Sequence, residues 1–493
     1  MSVVAERALL SFDTDPDPKS THYARRARAF FASKNQLLRP RVVMTPFHPG
    51  TLRRAAITTL GCKINAYESA LIAQKLQQDQ WTVVSPKDTA DLYVINSCTV
   101  TAEAGRQTRQ EIRRAISRNP AALVVVTGCY AEMEASACAK IPGVDLVVGN
   151  SGKLSIVEHV RTFRGKVQQT PVGPRPDRQT GLAQDLLSGF ADRTRAFIQI
   201  QQGCDQSCTY CIIHRARGPS RSFSPDQVER QVQLLLTRGY REIVICGVDL
   251  GSWGRDLENR SLVESPEFVG LLQRISNLPG DYRIRLSSID PIHLEDNLLD
   301  LISSSDRFCP HLHISMQSAN TLILKRMKRR YDAALLYERI QAAHAKIPGL
   351  VLSADILVGF PTESDAQFED TLRAVDDLSI SYPHVFAYSA RPGTPAARIP
   401  SQVPKAIRKQ RSAWVRTAGG RVRQSVLSQQ AGRCGRVLIE RSGLGSTCRS
   451  HGRLANYLPV CFNQGHPVPG EFLQAHVTGF SGDVLIARTT AQE

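Results

Sequence analysis

The sequence predicts an α/β protein that ends in a small all-β domain. Strand-like runs alternate with helical patterns from residue 54 to about 163, and again from 196 to about 388. Such alternation builds parallel sheets covered by helices. From residue 432 the helical period stops, and short strand-like runs separated by polar turns follow at 436–440, 458–462, 472–477 and 484–488.

A length of 493 residues leaves room for several domains of ordinary size. No run of about 18 apolar residues occurs, so no bilayer span is expected. Lys plus Arg, 62, exceed Asp plus Glu, 45, and the resulting charge of +17 fits a polyanionic partner, nucleic acid first. The 12 cysteines would suggest disulfides in a secreted chain. No apolar signal segment opens the sequence, however, and the chain is long enough to bury a core without staples. A reducing, cytoplasmic setting with metal-bound thiolates is the expectation.

Residues 1–52 are expected to be a disordered extension, with Asp13, Asp15 and Asp17 ahead of a basic piece at 23–34. An organelle transit peptide would be poor in acids. An α/β domain is expected over 53–163. Its strand at 55–60 ends in Gly61-Cys62-Lys63-Ile64-Asn65, ahead of a helix at 66–78. The strand at 92–95 ends in Asn96-Ser97-Cys98-Thr99, and a basic helix follows with Arg106, Arg109, Arg113 and Arg114. The strand at 123–126 ends in Thr127-Gly128-Cys129-Tyr130. The carboxyl ends of parallel strands line the functional edge of a sheet. Cys62, Cys98 and Cys129 are therefore expected to meet there. Free cysteines are often core residues, but three at equivalent strand ends read better as a three-thiolate ligand set.

Prolines, glycines and glutamines mark a linker over 164–195, and a second α/β domain is expected over 196–430. Its first strand, 197–201, runs into Gly203-Cys204-Asp205-Gln206-Ser207-Cys208-Thr209-Tyr210-Cys211. Three thiolates at C-x3-C-x2-C spacing can hold three corners of a [4Fe–4S] cube and leave the fourth iron open. The alternatives are a zinc knuckle or three unrelated thiols. Zinc usually takes four protein ligands, and His214 is the nearest fourth candidate. Five more strands are expected at 243–246, 282–286, 312–316, 350–356 and 384–388, with helices at 225–238 and 333–346 among them. A basic helix spans 403–428, and the last domain 431–493.

The cysteine triplet with Tyr210 before its last member resembles the signature of the radical S-adenosylmethionine (SAM) enzymes. The segments 60–65, 94–101, 127–131 and 141–149 resemble the N-terminal domain of the methylthiotransferases, and the likeness runs through essentially everything after residue 53. That resemblance implies an open, partial (β/α)6 TIM-type barrel in the centre and a TRAM domain, a small RNA-binding barrel, at the end. It implies two [4Fe–4S] clusters, one on Cys204, Cys208 and Cys211 and an auxiliary one on Cys62, Cys98 and Cys129. SAM is the further cofactor, with the turn at Gly247 near its amino end and the strand into Gly359 near its adenine.

The 99–101 segment after Cys98, Tyr130 after Cys129 and the 216–218 segment resemble the branch that acts on N6-threonylcarbamoyladenosine in tRNA. The implied reaction inserts sulfur and a SAM-derived methyl group at C2 of that anticodon-loop adenosine. Implied partners are tRNA, an electron donor and a sulfur donor, with no membrane and a monomeric state. Lys325, Arg326, Lys328, Arg329 and Arg330 are candidate phosphate contacts, and Arg453 of the last domain a candidate RNA contact. The same reaction on isopentenyladenosine or on ribosomal protein S12 is the alternative within enzymes. A non-enzymatic iron–sulfur RNA-binding protein is the alternative outside them. The sequence departs from the family pattern at His214, Ser315 and Ala387, where proline is usual. Cys138, Cys246, Cys309, Cys434, Cys448 and Cys461 are expected to be structural thiols.

Overall fold

A six-stranded parallel sheet, a partial barrel made of a three- and a four-stranded parallel sheet, and one closed barrel carry the fold. The computed structural model describes residues 53–163, 168–169, 182, 185–191, 193–257, 267–443, 448–465 and 467–490. The N-terminal extension and most of the linker lie outside the described residues.

The first sheet is built from β1 (Arg53–Thr59), α1 (Lys63–Gln78), β2 (Trp81–Val84), β3 (Leu92–Ser97), α2 (Ala102–Arg118), β4 (Leu123–Gly128), α3 (Cys129–Met133), α4 (Ala135–Ala139), β5 (Leu146–Val148), α5 (Ile156–Thr162) and β6 (Gln168–Gln169). Its strands are parallel, in the order β2-β1-β3-β4-β5-β6. Every residue of β3 and β4 is buried, because helices cover both faces and the strands read as unbroken apolar runs. In register, Thr59 pairs with Asn96, and Ser97 with Gly128. That register brings the three cysteine-bearing strand ends side by side. Helix α1 starts at Lys63 rather than at 66, which puts Cys62 at its cap.

The central region comprises β7 (Arg195–Gln199), β8 (Gln201–Gln202), α6 (Ile213–Arg217), β9 (Arg221–Ser222), α7 (Pro225–Thr237), β10 (Glu242–Cys246), α8 (Phe268–Ser276), β11 (Arg283–Leu286), β12 (Ser288–Ile289), α9 (Asp296–Ser304), β13 (His311–Gln317), α10 (Thr321–Met327), α11 (Ala333–Lys346), β14 (Val351–Val358), α12 (Asp365–Asp377) and β15 (Ile380–Ala387). Strands β7, β10 and β11 pair in parallel, as do β12, β13, β14 and β15, and only Ser287 separates β11 from β12. The result is a curved, open, partial barrel. Residues of alternate parity face opposite sides. Ile198, Ile245, Ile284, Ile314 and Ala354 join the outer helices in one large core. Phe197, Val244 and Cys246 point inward and pack on Ile64 of α1, so the first sheet's helix covers one side of the lumen.

Helix α13 (Lys405–Ser428) leads to β16 (Cys434–Ser442), β17 (Ser450–Leu454), β18 (Pro459–Phe462), β19 (Phe472–Ser481) and β20 (Val484–Thr489). These five strands close as β16-β17-β18-β20-β19 around Val437, Ile439, Leu458, Phe462 and Leu485. Strand β17 carries no apolar alternation in sequence. Barrel closure supplies its partners instead. It also corrects one expectation: Cys448 and Cys461 are paired as a disulfide, with Cα atoms 5.6 Å apart, because Ser450 and Phe462 are register partners. Among the described residues no helix is long and apolar enough to cross a membrane.

The closed barrel plugs the foot of the partial barrel. Tyr457 stacks on His311 with ring centroids 4.7 Å apart, and Arg195, Arg285 and Arg453 lie over its ring. Beneath it the fully buried Glu242 takes Arg283 and Arg285, each at 2.7 Å. Burial opposes its charge, yet the arginines outweigh burial and hold its carboxyl well below the usual range. Removing one partner of such a group strands the others without compensation. Glu242→Ala should therefore cost about 3–5 kcal/mol, read as a lower melting temperature; an unchanged melting temperature would refute the role given to Glu242.

Candidate active site

The first thiol set sits where the register predicts. Cys98 and Cys129 follow β3 and β4 directly and Cys62 comes three residues after the end of β1, and each of Cys62 and Cys129 raises the pKa of Cys98. The approach is close enough to require glycine at 61. Its φ is +97°, and a Cβ there would lie 2.8 Å from Cys98 Sγ. Asn65 knits the turns together, donating from Nδ2 to Leu60 O at 2.7 Å and to Ser97 O at 3.0 Å. Burial pushes the Cys98 thiol up to about 11. Such a thiol stays protonated at neutral pH until a metal displaces the proton.

The second thiol set lies on the excursion between β8 and β9, whose ends pair as Gln202 with Arg221. Gly203 is obligatory here, with φ +76° and the Pro219 carbonyl oxygen 1.8 Å from where a Cβ would stand. Each sulfur receives a hydrogen bond: the Gln206 amide to Cys204 at 3.3 Å, Arg329 Nη1 to Cys208 at 3.4 Å, and the Ile213 amide to Cys211 at 3.4 Å. Burial raises Cys204 to about 12, with Asp249 adding to the effect, and raises Cys211 to about 11. Three soft donors with N–H groups aimed at them suit an iron–sulfur cluster. The residues fit that group.

The turn at Gly247 after β10 is held against this loop by the buried Gln201. Its Oε1 accepts from the Val248 and Asp249 amides at 2.8 and 3.0 Å, while Nε2 donates to Gly203 O and Ser220 Oγ, both at 2.8 Å. Gly359 follows β14, and its amide donates to Glu363 Oε2 at 2.6 Å. The basic run at the end of α10 divides. Lys325, Arg326 and Lys328 are exposed, whereas Arg329 and Arg330 turn inward to Asp290, at 2.6 and 3.3 Å, and Arg330 also to Asp249 at 3.0 Å. Their guanidiniums are already engaged by carboxylates, because α10 ends with their side chains over the cysteine loop. Arg453 is likewise engaged, with Glu440 at 3.3 Å and the Tyr457 ring at 4.3 Å.

Sequence reasoning missed the contacts that join the two thiol sets. Arg217 ends α6, just beyond the second set, and is only 1% exposed. It binds Glu68 of α1 at 2.9 Å and Asn65 Oδ1 at 2.6 Å, and Lys153 reaches Glu68 at 2.7 Å. Cys129 and Cys62 are among the groups acting on its charge, so the guanidinium faces the first set. Asn150 adds a second tie, donating to Ala216 O at 2.6 Å with Cys129 Sγ 3.9 Å away. On the far side Arg391 donates to Thr99 Oγ1 at 2.6 Å. No local pattern announces these pairs; the one hint in sequence is the family-like 216–218 segment, which contains Arg217. Of the positions that depart from the family pattern, Ser315 shares a hydrogen bond with Ser288 at 2.7 Å, His214 lies in α6, and Ala387 ends β15.

Residues 54–149 match the "Uncharacterized protein family UPF0004", and residues 198–375 match the radical SAM superfamily. The threonylcarbamoyladenosine tRNA methylthiotransferase MtaB of Rickettsia prowazekii is 38% identical over 86% of this chain and 95% of its own length. This chain belongs to the radical SAM methylthiotransferase family. MtaB of Bacillus subtilis is 38% identical as well, over 72% of this chain and 78% of its own. The tRNA-2-methylthio-N6-dimethylallyladenosine synthase of Clostridium botulinum is 28% identical over 87% and 95%. The solved radical SAM methyltransferase TsrM from Kitasatospora setae shares the fold at a TM-score of 0.50, with 14% identity over 70% of this chain and 77% of that one. For a radical SAM methylthiotransferase, the two matched stretches divide tellingly: the first contains Cys62, Cys98 and Cys129, the second Cys204, Cys208 and Cys211.

Burial alone would raise the Glu68 carboxyl, but Arg217 and Lys153 outweigh it and hold it at about 2. The stability it contributes is complete above the ordinary value of 4.5 and is lost as pH falls from there towards about 2. In cluster-free protein, Glu68→Gln should lower stability by about 3–5 kcal/mol at neutral pH and flatten the acid limb of the melting-temperature profile. An identical profile would contradict the assignment.

Proposed function

We propose that this enzyme attaches a methylthio group at C2 of N6-threonylcarbamoyladenosine in the anticodon loop of tRNA. The observation that carries the reading is the pair of three-thiol sets, one at the strand ends of each sheet, tied to each other by Arg217 and Glu68. A non-enzymatic RNA-binding protein has no use for two such sets in one place. The Rickettsia and Bacillus relatives support the target, since both are named for threonylcarbamoyladenosine and both are 38% identical.

In this reading Cys204, Cys208 and Cys211 hold one [4Fe–4S] cluster beside SAM, and Cys62, Cys98 and Cys129 hold an auxiliary one. When bound, these groups supply one-electron cleavage of an unactivated C–H bond and the sulfur and methyl that replace the hydrogen. The chain's own residues do the rest. Gln201 fixes the Gly247 turn against the cysteine loop, where the amino end of SAM is expected, and the β14 strand into Gly359 flanks its adenine. Ile64, Phe197, Val244 and Cys246 exclude water from one side of the lumen. The adenosine must leave its stack to enter the lumen. Lys325, Arg326 and Lys328, exposed at the mouth, take backbone phosphates. The partial barrel is then a TIM-type radical SAM domain over 196–430 and the closed barrel a TRAM domain over 431–493. An electron donor and a sulfur donor complete the cycle of a cytoplasmic monomer.

Nucleoside mass spectrometry of total tRNA tests this. Deletion of the gene, or its replacement by Cys98→Ala, should abolish 2-methylthio-N6-threonylcarbamoyladenosine and accumulate the unthiolated precursor. Loss of the isopentenyl counterpart instead would move the target; no change in either would remove tRNA as substrate.

A further inference from the structure

The lumen of the partial barrel is apolar on one side and polar on the other. Opposite Phe197, Val244 and Cys246, the strands β13, β14 and β15 turn His313, Asp355 and His384 inward, on the faces opposite to Ile314, Ala354 and Val385. His313 Nε2 lies 3.0 Å from Asp355 Oδ1, His384 Nδ1 lies 3.6 Å from the same oxygen, and the two imidazoles meet edge-on at 4.7 Å. Ser288 Oγ lies 3.4 Å from Asp355 Oδ2 and 2.7 Å from Ser315 Oγ. The His384 side chain is still 52% exposed, so the cluster remains open to a ligand. None of these groups belongs to either thiol set.

Lys63 adds a charge. It stands between Cys62 and the lumen-packed Ile64, and it forms no ion pair among the described residues. Its ammonium acts on Cys246 inside the lumen and on His311 and Tyr457 at its foot. A cation on the helix that walls the lumen, facing a space whose other side is lined by hydrogen-bonding groups, attracts an anion that can also donate and accept.

We propose that Lys63, His313, Asp355 and His384 form the pocket for a polar, carboxylate-bearing substituent on N6 of the substrate adenosine, and thereby set which modified adenosine is accepted. The inference rests on the function proposed above. In adenine only N1 separates C2 from the carbon that bears N6, so a base presented with C2 to the thiols carries its N6 substituent into the same lumen. A threonylcarbamoyl group offers a carboxylate to Lys63 and a hydroxyl and urea N–H groups to the histidine–aspartate cluster. An isopentenyl group offers hydrocarbon alone and would take water from Lys63 and the half-exposed His384 without giving either a new partner, the kind of mismatch that discriminates strongly.

Anisotropy titrations of the cluster-reconstituted enzyme with anticodon stem-loop RNAs carrying either modified adenosine test this, with iron content matched between variants. The threonylcarbamoyl RNA should bind about tenfold or more tighter than the isopentenyl RNA. Lys63→Met and His384→Ala should each bring that ratio close to one, and Lys63→Arg should restore it. A ratio untouched in both loss variants overturns the inference while the reaction stands; a wild-type preference for the isopentenyl RNA overturns both. Stoichiometric zinc that disappears in His384→Ala would also overturn it, making the cluster a metal site.

Discussion

One buried carboxylate, Glu68, ties the two thiol sets together. Arg217 and Lys153 are both about as buried as it is, and in low dielectric none of the three charges is tolerable without the others. Helix α1 begins beside Cys62, and α6 begins two residues after Cys211. Neutralising Arg217 on Glu68 therefore fixes one thiol set relative to the other. Asn65, accepting from Arg217, and Asn150, donating to Ala216 O, serve the same purpose. A buried ion pair adds little net stability over an apolar contact of equal volume, so geometry is what this arrangement specifies.

The foot of the partial barrel repeats the device with Glu242 and its arginines, and Tyr457 of the closed barrel caps them. Much of the chain's arginine is thus used internally. Those arginines are committed to buried acids and are not offered to a partner. Lys325, Arg326 and Lys328 belong to the exposed part, and Arg329 and Arg330, next to them in sequence, do not.

The sequence made the two sheets legible because their strands are buried and apolar and their cysteines stand at strand ends. Cys62, Cys98 and Cys129 could be placed on one edge from that alone, and the register Thr59 with Asn96 and Ser97 with Gly128 shows why. What stayed hidden depends on contacts distant in sequence. Glu68 and Arg217 are 149 residues apart, and neither stands in a pattern that names the other. Gln201 reads as one of several glutamines until its side chain is seen spanning the Gly203 and Asp249 backbones. Strand β17, Ser450–Leu454, has only Leu454 as an apolar residue and forms because its neighbours pair with it on both sides. The inward direction of Arg329 follows from Asp290, which the linear basic run cannot report.

The central claim is that each thiol set holds its own cluster. Iron quantification with Mössbauer spectroscopy on the reconstituted protein tests it most directly. About eight irons are expected in the wild type, and about four in each of Cys98→Ala and Cys204→Ala, with the remaining cluster intact as a [4Fe–4S] species. About four irons in the wild type, or one variant that empties both sites while the other empties neither, would contradict the account.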